Sequence, residues 1–264
     1  MTYQGIDTAA RITAEQAKKL REQGVAFVCR YIGPESWGKT ITPAEAKILR
    51  DNGLAILLCY ETSAARMLGG ARAGAEDGYV ARQAAEELGV PSGTVIFFAA
   101  DWDVQTAELP LCEAYLKTAS YNTEQFGVGL YGGERVVSDM SGRGACYYFW
   151  QCVAWSNQFL PVADVRQYAW QGDPRAKAMA AATGIYAVDL DSADTLAGMW
   201  MPDVPQPEKH WYDDTIAWAT KEGIMDGTRP EDYATRAEVA QMIRNYNRRF
   251  EAEDAKAYSG LLER

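Results

Sequence analysis

Five acidic residues stand where short apolar segments of the sequence end, and residues of this type in this pattern can do chemistry. They are Asp7, Glu61, Asp101, Asp103 and Asp189. Glycoside hydrolysis needs one carboxylic acid to protonate the leaving oxygen and a second carboxylate to act as nucleophile, base or electrostatic stabiliser. Crowded carboxylates raise one another's pKa, which keeps one of them protonated near neutral pH. The five residues therefore predict catalysis by carboxyl groups.

The overall composition argues against several other kinds of catalytic and binding site. The 264 residues include a single histidine, His210, so the chain before it has no imidazole for a Ser-His-Asp triad, a Cys-His dyad or a zinc hydrolase site. With 36 acidic against 26 basic residues, the formal net charge of −10 argues against nucleic-acid binding. The five cysteines show no CxxC spacing and are expected to be buried free thiols. We expect no metal and no cofactor; a Mg²⁺ or Ca²⁺ site built from oxygen ligands is the alternative.

Strand and helix patterns alternate over the first two hundred residues, and they must position these acids. Apolar strand patterns occur at residues 5–7, 25–32, 54–60, 94–100, 128–131, 147–155, 165–170 and 185–190. Helical patterns separate most of them, and they look short or absent between the last three strands. Eight such repeats predict an α/β fold, a (β/α)8 barrel of the TIM type, with a doubly wound open sheet as the alternative. In an all-parallel barrel the strand ends share one face, and that face carries the active site.

Further polar and aromatic side chains fall at or near the same strand ends and are predicted to bind substrate. They are Arg30, Tyr31, Trp102, Tyr131, Gln151, Trp155, Gln167 and Asp191. Aromatic rings offer flat apolar surfaces on which sugar rings can lie. Each acid also has a structural alternative, since Asp after a strand commonly caps the next helix, as Asp103 could do near Thr106. Acids at four strand ends together favour a functional site, because buried unpaired carboxylates are costly.

An ordered series of short motifs runs through residues 3 to 200. The motifs are Gly5-Ile6-Asp7, Asp101-x-Asp103, Leu130-Tyr131-Gly132, Trp150-Gln151-x-x-Ala154-Trp155, Gln167-Tyr168 and Val188-Asp189-Leu190. This series resembles the family 25 glycoside hydrolases, the Chalaropsis-type lysozymes. It is more similar still to their glycoside-hydrolase-like relatives, domain-of-unknown-function family 1906, in which Arg30-Tyr31 and Tyr60-Glu61 also have counterparts.

The resemblance to the lysozymes implies a (β/α)8-like barrel that cleaves the bond between muramic acid and glucosamine in peptidoglycan. The strand-four motif of that family is Asp-x-Glu, with the Glu as proton donor. Asp103 occupies that position here, and its shorter side chain retracts the carboxyl by roughly 1.5 Å, a misplacement that can cost about a hundredfold in rate. Glu61 on the neighbouring strand is the alternative donor. Asp101 and Asp189 are then expected to stabilise the transition state or orient the acetamido group, and Asp7 to position the sugar.

The composition changes after Trp200, where residues 201–207 contain three prolines and predict a stiff linker. The segment that follows, including His210-Trp211 and Thr235-Arg236-Ala237-Glu238, resembles one S-layer homology motif. That resemblance implies a small helical module that binds cell-wall polysaccharide, with Trp211 and Arg236 as candidate contacts. Such motifs usually act in sets of three, so the chain could form a homo-oligomer through this module. The predicted domains are therefore a barrel, 1–200, and a linker with module, 201–264; a plain helical hairpin is the alternative for the module.

These features together predict a peptidoglycan glycan-strand hydrolase that resembles a phage or prophage endolysin. The N-terminus lacks the features of a signal peptide, and no apolar run approaches the roughly 18 residues of a membrane span. We therefore expect a protein that is made in the cytoplasm and acts at the bacterial cell wall. One alternative is a non-catalytic glycan-binding protein with a degenerate barrel. The other is an unrelated barrel enzyme for a small anionic substrate, although no Gly-rich phosphate cradle follows strands seven or eight.

Overall fold

A closed barrel of eight strands forms the first part of the molecule. The computed structural model describes residues 2–202, 218–222, 224 and 239–246. Within residues 2–202 the strands follow one another around the barrel in chain order. They are β1 Tyr3–Asp7, β2 Val25–Tyr31, β3 Ala55–Tyr60, β4 Val95–Ala99, β5 Gly127–Gly132, β6 Tyr148–Cys152, β7 Val165–Ala169 and β8 Asp189–Ala193. The predicted α/β barrel is confirmed, and the alternative of an open doubly wound sheet is wrong.

Helices cover the outside of this barrel. They are α1 Ala14–Glu22, α2 Pro43–Asp51, α3 Gly70–Leu88, α4 Leu109–Thr123, α5 Glu134–Arg143 and α6 Pro174–Thr183. The Thr13 hydroxyl accepts from Gln16 N in a capping box at the start of α1, and Thr42 caps α2 in front of Pro43. Residues 153–164, all of which the structure describes, form no helix between β6 and β7. No helix in the described ranges is long and apolar enough to span a bilayer.

The last strand runs against the others, so the expectation of an all-parallel barrel is wrong. β8 pairs antiparallel with both β1 and β7. The physical reason lies in α6, which ends beside the start of α1, where Gln16 Nε2 donates to Gly184 O at 2.8 Å. The chain thus re-enters the sheet from the face at which β1 and β7 end. Asp189, the first residue of β8, lies on that face, and Asp191 lies two residues deeper.

The side chains of the strands alternate between two apolar layers. Ile6, Val28 and Phe98 belong to the layer between the sheet and the helices, whereas Phe27 and Phe97 help to fill the barrel interior. Neighbouring residues of a strand point to opposite faces of the sheet, so this alternation decides which polar residues face inward. All five cysteines are free and buried, as the sequence predicts.

The chain divides into two compact units, Met1–Val204 and Pro205–Arg264. In the second unit, residues 218–221 and 239–246 are helical. Ala219 and Ile224 are buried there, and Asn245 Nδ2 donates to Ile224 O at 3.1 Å. The predicted wall contacts, Trp211 and Arg236, lie outside the described residues.

Candidate active site

A cavity of about 110 Å³ opens at the end of the barrel where β1 to β7 finish. Four of the five predicted catalytic acids line it, together with three of the predicted substrate-binding residues. The lining residues are Asp7, Tyr31, Cys59, Glu61, Ala99, Asp101, Tyr131, Trp150, Gln167 and Asp189. Most of them face inward by the alternation of β1 to β7, and Asp189 joins them because β8 is reversed.

Gln167 holds the two aspartates on the cavity floor together. Its Nε2 donates to Asp7 Oδ2 at 2.8 Å and to Asp189 Oδ2 at 3.2 Å. Its Oε1 accepts from the Tyr131 hydroxyl at 3.0 Å, which fixes the direction of the amide. Gln171 N donates to the other oxygen of Asp189 at 2.6 Å. The amide therefore keeps two acidic groups close together in a region from which water is largely excluded.

Burial and crowding bring two of these carboxyl groups into the range of a general acid. Burial, and next the charge of Asp189, raise the pKa of Asp7 from 3.8 to about 7. Burial, and next the charge of Glu61, raise the pKa of Asp101 from 3.8 to about 6. A catalytic acid works best when its pKa lies near the working pH, so both groups are suited to proton transfer near neutrality.

Asp191 lies beneath this floor and is fully buried, so it is not placed to contact a substrate. Trp150 Nε1 donates to its Oδ1 at 2.9 Å. Its Oδ2 is buried, with no donor among the described residues. Burial, and next the charge of Asp7, raise the pKa of Asp191 well above its ordinary value. Protonation of Asp191 avoids placing two negative charges next to each other in a buried position.

A lysine that the sequence did not single out organises the rim of the cavity. Lys39 Nζ lies 2.7 Å from Glu61 Oε2 and 4.1 Å from the centre of the Tyr31 ring. The ammonium group also lowers the pKa of Asp101, against the effect of burial. Lys39 precedes α2 in an irregular loop, where no strand or helix period could reveal it.

Asp103 does not join the other acids, although the spacing of two from Asp101 predicts that it should. β4 already ends at Ala99, so strand alternation does not extend to residues 101 and 103. The Asp103 side chain is 56% exposed, and its Oδ1 lies 3.3 Å from Arg135 Nη1. It lines a separate cleft of about 500 Å³, which also contains Trp155.

Three predicted substrate contacts are structural instead. Arg30 is fully buried; its Nε donates to Glu45 Oε1 at 2.7 Å and its Nη1 to Thr8 O at 2.5 Å. Gln151 is also fully buried, and its Oε1 accepts from Leu160 N at 2.8 Å, which braces the loop between β6 and β7. Both residues alternate with inward-facing neighbours and point to the outside of the barrel, Arg30 towards α2 and Gln151 towards the loop between β6 and β7.

The third of these residues is Trp102, whose indole Nε1 donates to Glu108 Oε2 at 2.9 Å, just before α4. Among the residues that the structure describes, no group of three or more His, Cys, Asp or Glu side chains is arranged to hold a metal ion. The candidate active site is thus a cluster of carboxyl groups with amide, phenol and indole neighbours.

The closed barrel and its carboxyl cluster define a glycoside-hydrolase-like domain. The chain belongs to the family described as "Rv2525c-like, glycoside hydrolase-like domain", which matches residues 18–249. It is 30% identical over 174 residues to the uncharacterized protein YbfG of Bacillus subtilis, a match covering 56% of this chain and 22% of YbfG. It is 28% identical over 156 residues to the uncharacterized protein FadG of the same bacterium, covering 53% of this chain and 26% of FadG. The chain thus matches about a quarter of the length of each curated relative.

Solved structures show the same fold. The Mycobacterium tuberculosis Tat-secreted protein Rv2525c, solved in complex with L-tartrate, superposes with a TM-score of 0.63 at 23% identity, over 75% of this chain and 98% of that one. An uncharacterized Bacillus stearothermophilus protein superposes with a TM-score of 0.55 at 18% identity, over 75% of this chain and 100% of that one. At these identities the likeness concerns the fold alone.

Proposed function

We propose that this protein hydrolyses the glycan strands of bacterial peptidoglycan. One observation carries the proposal: four carboxyl groups meet in one cavity, and the pKa values of two of them are raised to about 7 and about 6. Membership of a glycoside-hydrolase-like family supports a glycan as the ligand.

The four acids differ in exposure and in their hydrogen-bond partners, and we assign their roles from these differences. Asp101 is half-buried at the rim, where it can reach a leaving oxygen, and we assign it as the proton donor. Glu61, held by Lys39, is the second carboxylate of the pair, and it acts as base or nucleophile. Asp189 stabilises the positive charge that develops in the transition state, and Asp7, joined to it through Gln167, positions the sugar. Asp103 receives no role in proton transfer, because it lies outside the cavity.

The setting of the reaction is part of the same proposal. The protein acts at the bacterial cell wall in the manner of a phage or prophage endolysin, with the second unit, residues 205–264, attaching it to wall polysaccharide. Trp211 and Arg236 are the proposed contacts of that unit, and an oligomer would multiply its weak single attachment.

Purified cell walls test the hydrolase directly, through loss of turbidity together with release of new reducing ends. Asp101→Asn is expected to lower the rate by about a hundredfold or more, the usual contribution of a general acid. Asp51→Asn is the matched control, because this carboxylate is exposed on α2 and pairs with Lys47. Wild-type protein that releases no reducing ends from walls of several bacteria would contradict the proposal.

A glycan-binding protein without hydrolytic activity is the second candidate. It is favoured by the position of Asp103, which replaces the expected glutamate and faces Arg135 outside the cavity. This candidate predicts that the wild type and Asp101→Asn bind purified walls equally well and that neither releases reducing ends.

A further inference from the structure

The catalytic cavity alone is too small for a glycan. Ligand sites for small molecules usually enclose about 300 Å³ or more, whereas this cavity measures about 110 Å³. It can take one group of a sugar, such as a ring substituent or the atoms at the scissile bond. The remainder of the ligand must lie on the surface around it.

The cleft that contains Asp103 is a larger space at the same end of the barrel as the cavity. It measures about 500 Å³. Its lining includes Asp103, Glu134 and Trp155, which follow β4, β5 and β6. Along the chain after β4, Asp101 lines the cavity and Asp103 lines the cleft. Within β5, Tyr131 lines the cavity, and Glu134, just after that strand, lines the cleft. The two spaces therefore lie at the same end of the barrel, and residues two or three apart in the chain line one and then the other.

The cleft offers the surfaces that a sugar ring needs. Trp155 is half-buried and packs against the interior layer of the barrel, so its indole provides a flat apolar wall. The Asp103 carboxylate can accept hydrogen bonds from sugar hydroxyl groups, and the Arg135 guanidinium can donate to them. Their side chains are 56% and 46% exposed. Arg135 Nη1 donates to Val104 O at 2.6 Å, which fixes the guanidinium beside Asp103.

Hydrogen bonds and close packing hold the walls of this cleft together. Glu134 N donates to Trp155 O at 3.1 Å, and Asn157 N donates to Glu134 Oε2 at 2.8 Å. A Cβ atom at Gly133 would lie 2.7 Å from Trp155 Cβ, so the loop after β6 sits directly against the start of α5. A site that is already formed loses little conformational entropy on binding.

We propose that the cleft of Trp155, Asp103 and Arg135 is a second sugar subsite, and that the protein therefore binds a glycan chain of at least two residues. The inference rests on the proposed glycan function and deepens it, because it assigns the substrate to internal positions of a chain. A site for a single terminal sugar would not need this cleft.

Calorimetric titration with N-acetylglucosamine and its β-1,4-linked oligomers, from dimer to hexamer, tests the subsite. All titrations use the full chain carrying Asp101→Asn, which slows cleavage during the measurement. We expect affinity to rise about tenfold or more from monomer to short oligomers and then to level off. Arg135→Ala and Trp155→Ala are each expected to remove most of that gain and to leave monomer affinity unchanged.

Tyr147→Ala is the matched control, because Tyr147 is an aromatic residue, 81% exposed, just before β6 at the opposite end of the barrel. It should preserve the full gain with chain length. Trp155→Ala removes contacts with the barrel interior, so Arg135→Ala, with a check of the melting temperature, carries the test if the tryptophan variant fails to fold.

Affinity that does not depend on chain length overturns the subsite, and so does an equal loss for monomer and oligomers in the variants. Absence of any saccharide binding overturns it as well. Release of reducing ends from walls by the wild-type protein separates this result from the proposed function. Cleavage without a length effect removes only the subsite, whereas a length effect without cleavage removes only the hydrolase.

Discussion

Asp189, Asp7 and Asp191 form a row of neighbouring carboxyl groups on and beneath the cavity floor. The pKa of each group depends on whether its neighbour is charged. Asp191 is fully buried and accepts from Trp150, its pKa is raised by the charge of Asp7, and Asp7 in turn accepts from Gln167. A neutral Asp191 can serve as donor to Asp7, whereas an ionised one would leave two buried anions in contact. This arrangement makes Asp191 a positioning residue for Asp7, because it has no exposed surface of its own.

Asparagine should therefore replace Asp191 well, because its amide donates to Asp7 and accepts from Trp150 as the neutral acid does. We expect Asp191→Asn to keep wall-hydrolysing activity within a few-fold. Its infrared spectrum should lack a band of a buried neutral carboxylic acid that we expect in the spectrum of the wild type. Asp191→Ala, which leaves Trp150 Nε1 without its partner, should lose about 1–3 kcal/mol of unfolding free energy. An inactive but fully folded Asp191→Asn would contradict the positioning role.

The raised pKa of Asp7 makes stability depend on pH in a defined direction. Its pKa rises from 3.8 to about 7, so between these values the folded state binds more protons than the unfolded state. Stability from this group is complete below the unfolded pKa and is lost as pH rises towards 7. A shift of about three units corresponds to about 4 kcal/mol at most.

Urea unfolding at a series of pH values from 4 to 8 checks this direction. The wild type should lose more unfolding free energy than Asp7→Asn over that interval, and comparison of the two proteins cancels the contributions of acids far from Asp7. Parallel pH profiles for the two proteins would show that Asp7 titrates normally.

At the scale of individual strands and helices, local sequence patterns explain which parts of the site could be predicted and which could not. Apolar runs and capping residues such as Thr13 and Thr42 reveal the elements, because burial and capping leave local patterns. Strand alternation would also have separated Tyr31, which lines the cavity, from Arg30, which faces the helices. The loss of alternation at Asp103 could not be predicted, because it depends on where β4 ends.

Two other features lie beyond local patterns. The direction of β8 is set by how α6 packs beside α1, a contact between residues far apart in the chain. Lys39 reaches Glu61 from an irregular loop, and only the folded arrangement of that loop brings the two charges together. Sequence periodicity carries no information on either contact.

A buried ion pair between β2 and α2 supports the loop that follows Asp7. Arg30 bonds both Glu45 and Thr8 O, and Glu45 Oε1 also accepts from Ile12 N at 3.0 Å. Removal of one partner leaves a buried charge unpaired, so Glu45→Gln or Arg30→Met should each cost about 3–5 kcal/mol of unfolding free energy.

Urea denaturation measures this loss, and Arg30→Met combined with Glu45→Gln should cost less than the sum of the single changes, because no lone charge remains. Lys47→Gln is the control on the same helix, since its pair with Asp51 is exposed and should matter by less than about 1 kcal/mol. Strict additivity of the two buried changes would argue against the ion pair as the supporting contact.

At the scale of the whole molecule, the chain divides into two units at residues 204 and 205, and we propose that the first hydrolyses the glycan and the second attaches to the wall. All cavity and cleft residues lie in the first unit. We expect a chain that ends at residue 204 to keep the barrel and its melting transition. It should bind soluble oligosaccharides as the full chain does and bind purified walls less tightly.

Sedimentation of walls with each protein, followed by assay of the supernatant, measures this difference. Equal wall binding by the truncated and full chains would show that the second unit does not contribute to attachment. A truncated chain that fails to fold would show that the barrel depends on residues beyond 204.

The reversed β8 also determines the stage of folding at which the carboxyl groups of the cavity floor become buried. β8 supplies Asp189 and Asp191, and it closes the barrel by pairing with β1, nearly the whole length of the barrel domain away in sequence. Contacts this distant form late, because loop closure must precede them. Until that strand docks, Asp7 lies on an open sheet edge and stays hydrated. We therefore expect closure of the barrel to be coupled to proton uptake by Asp7 near neutral pH, and the acidic centre to be complete only when the last strand pairs with the first.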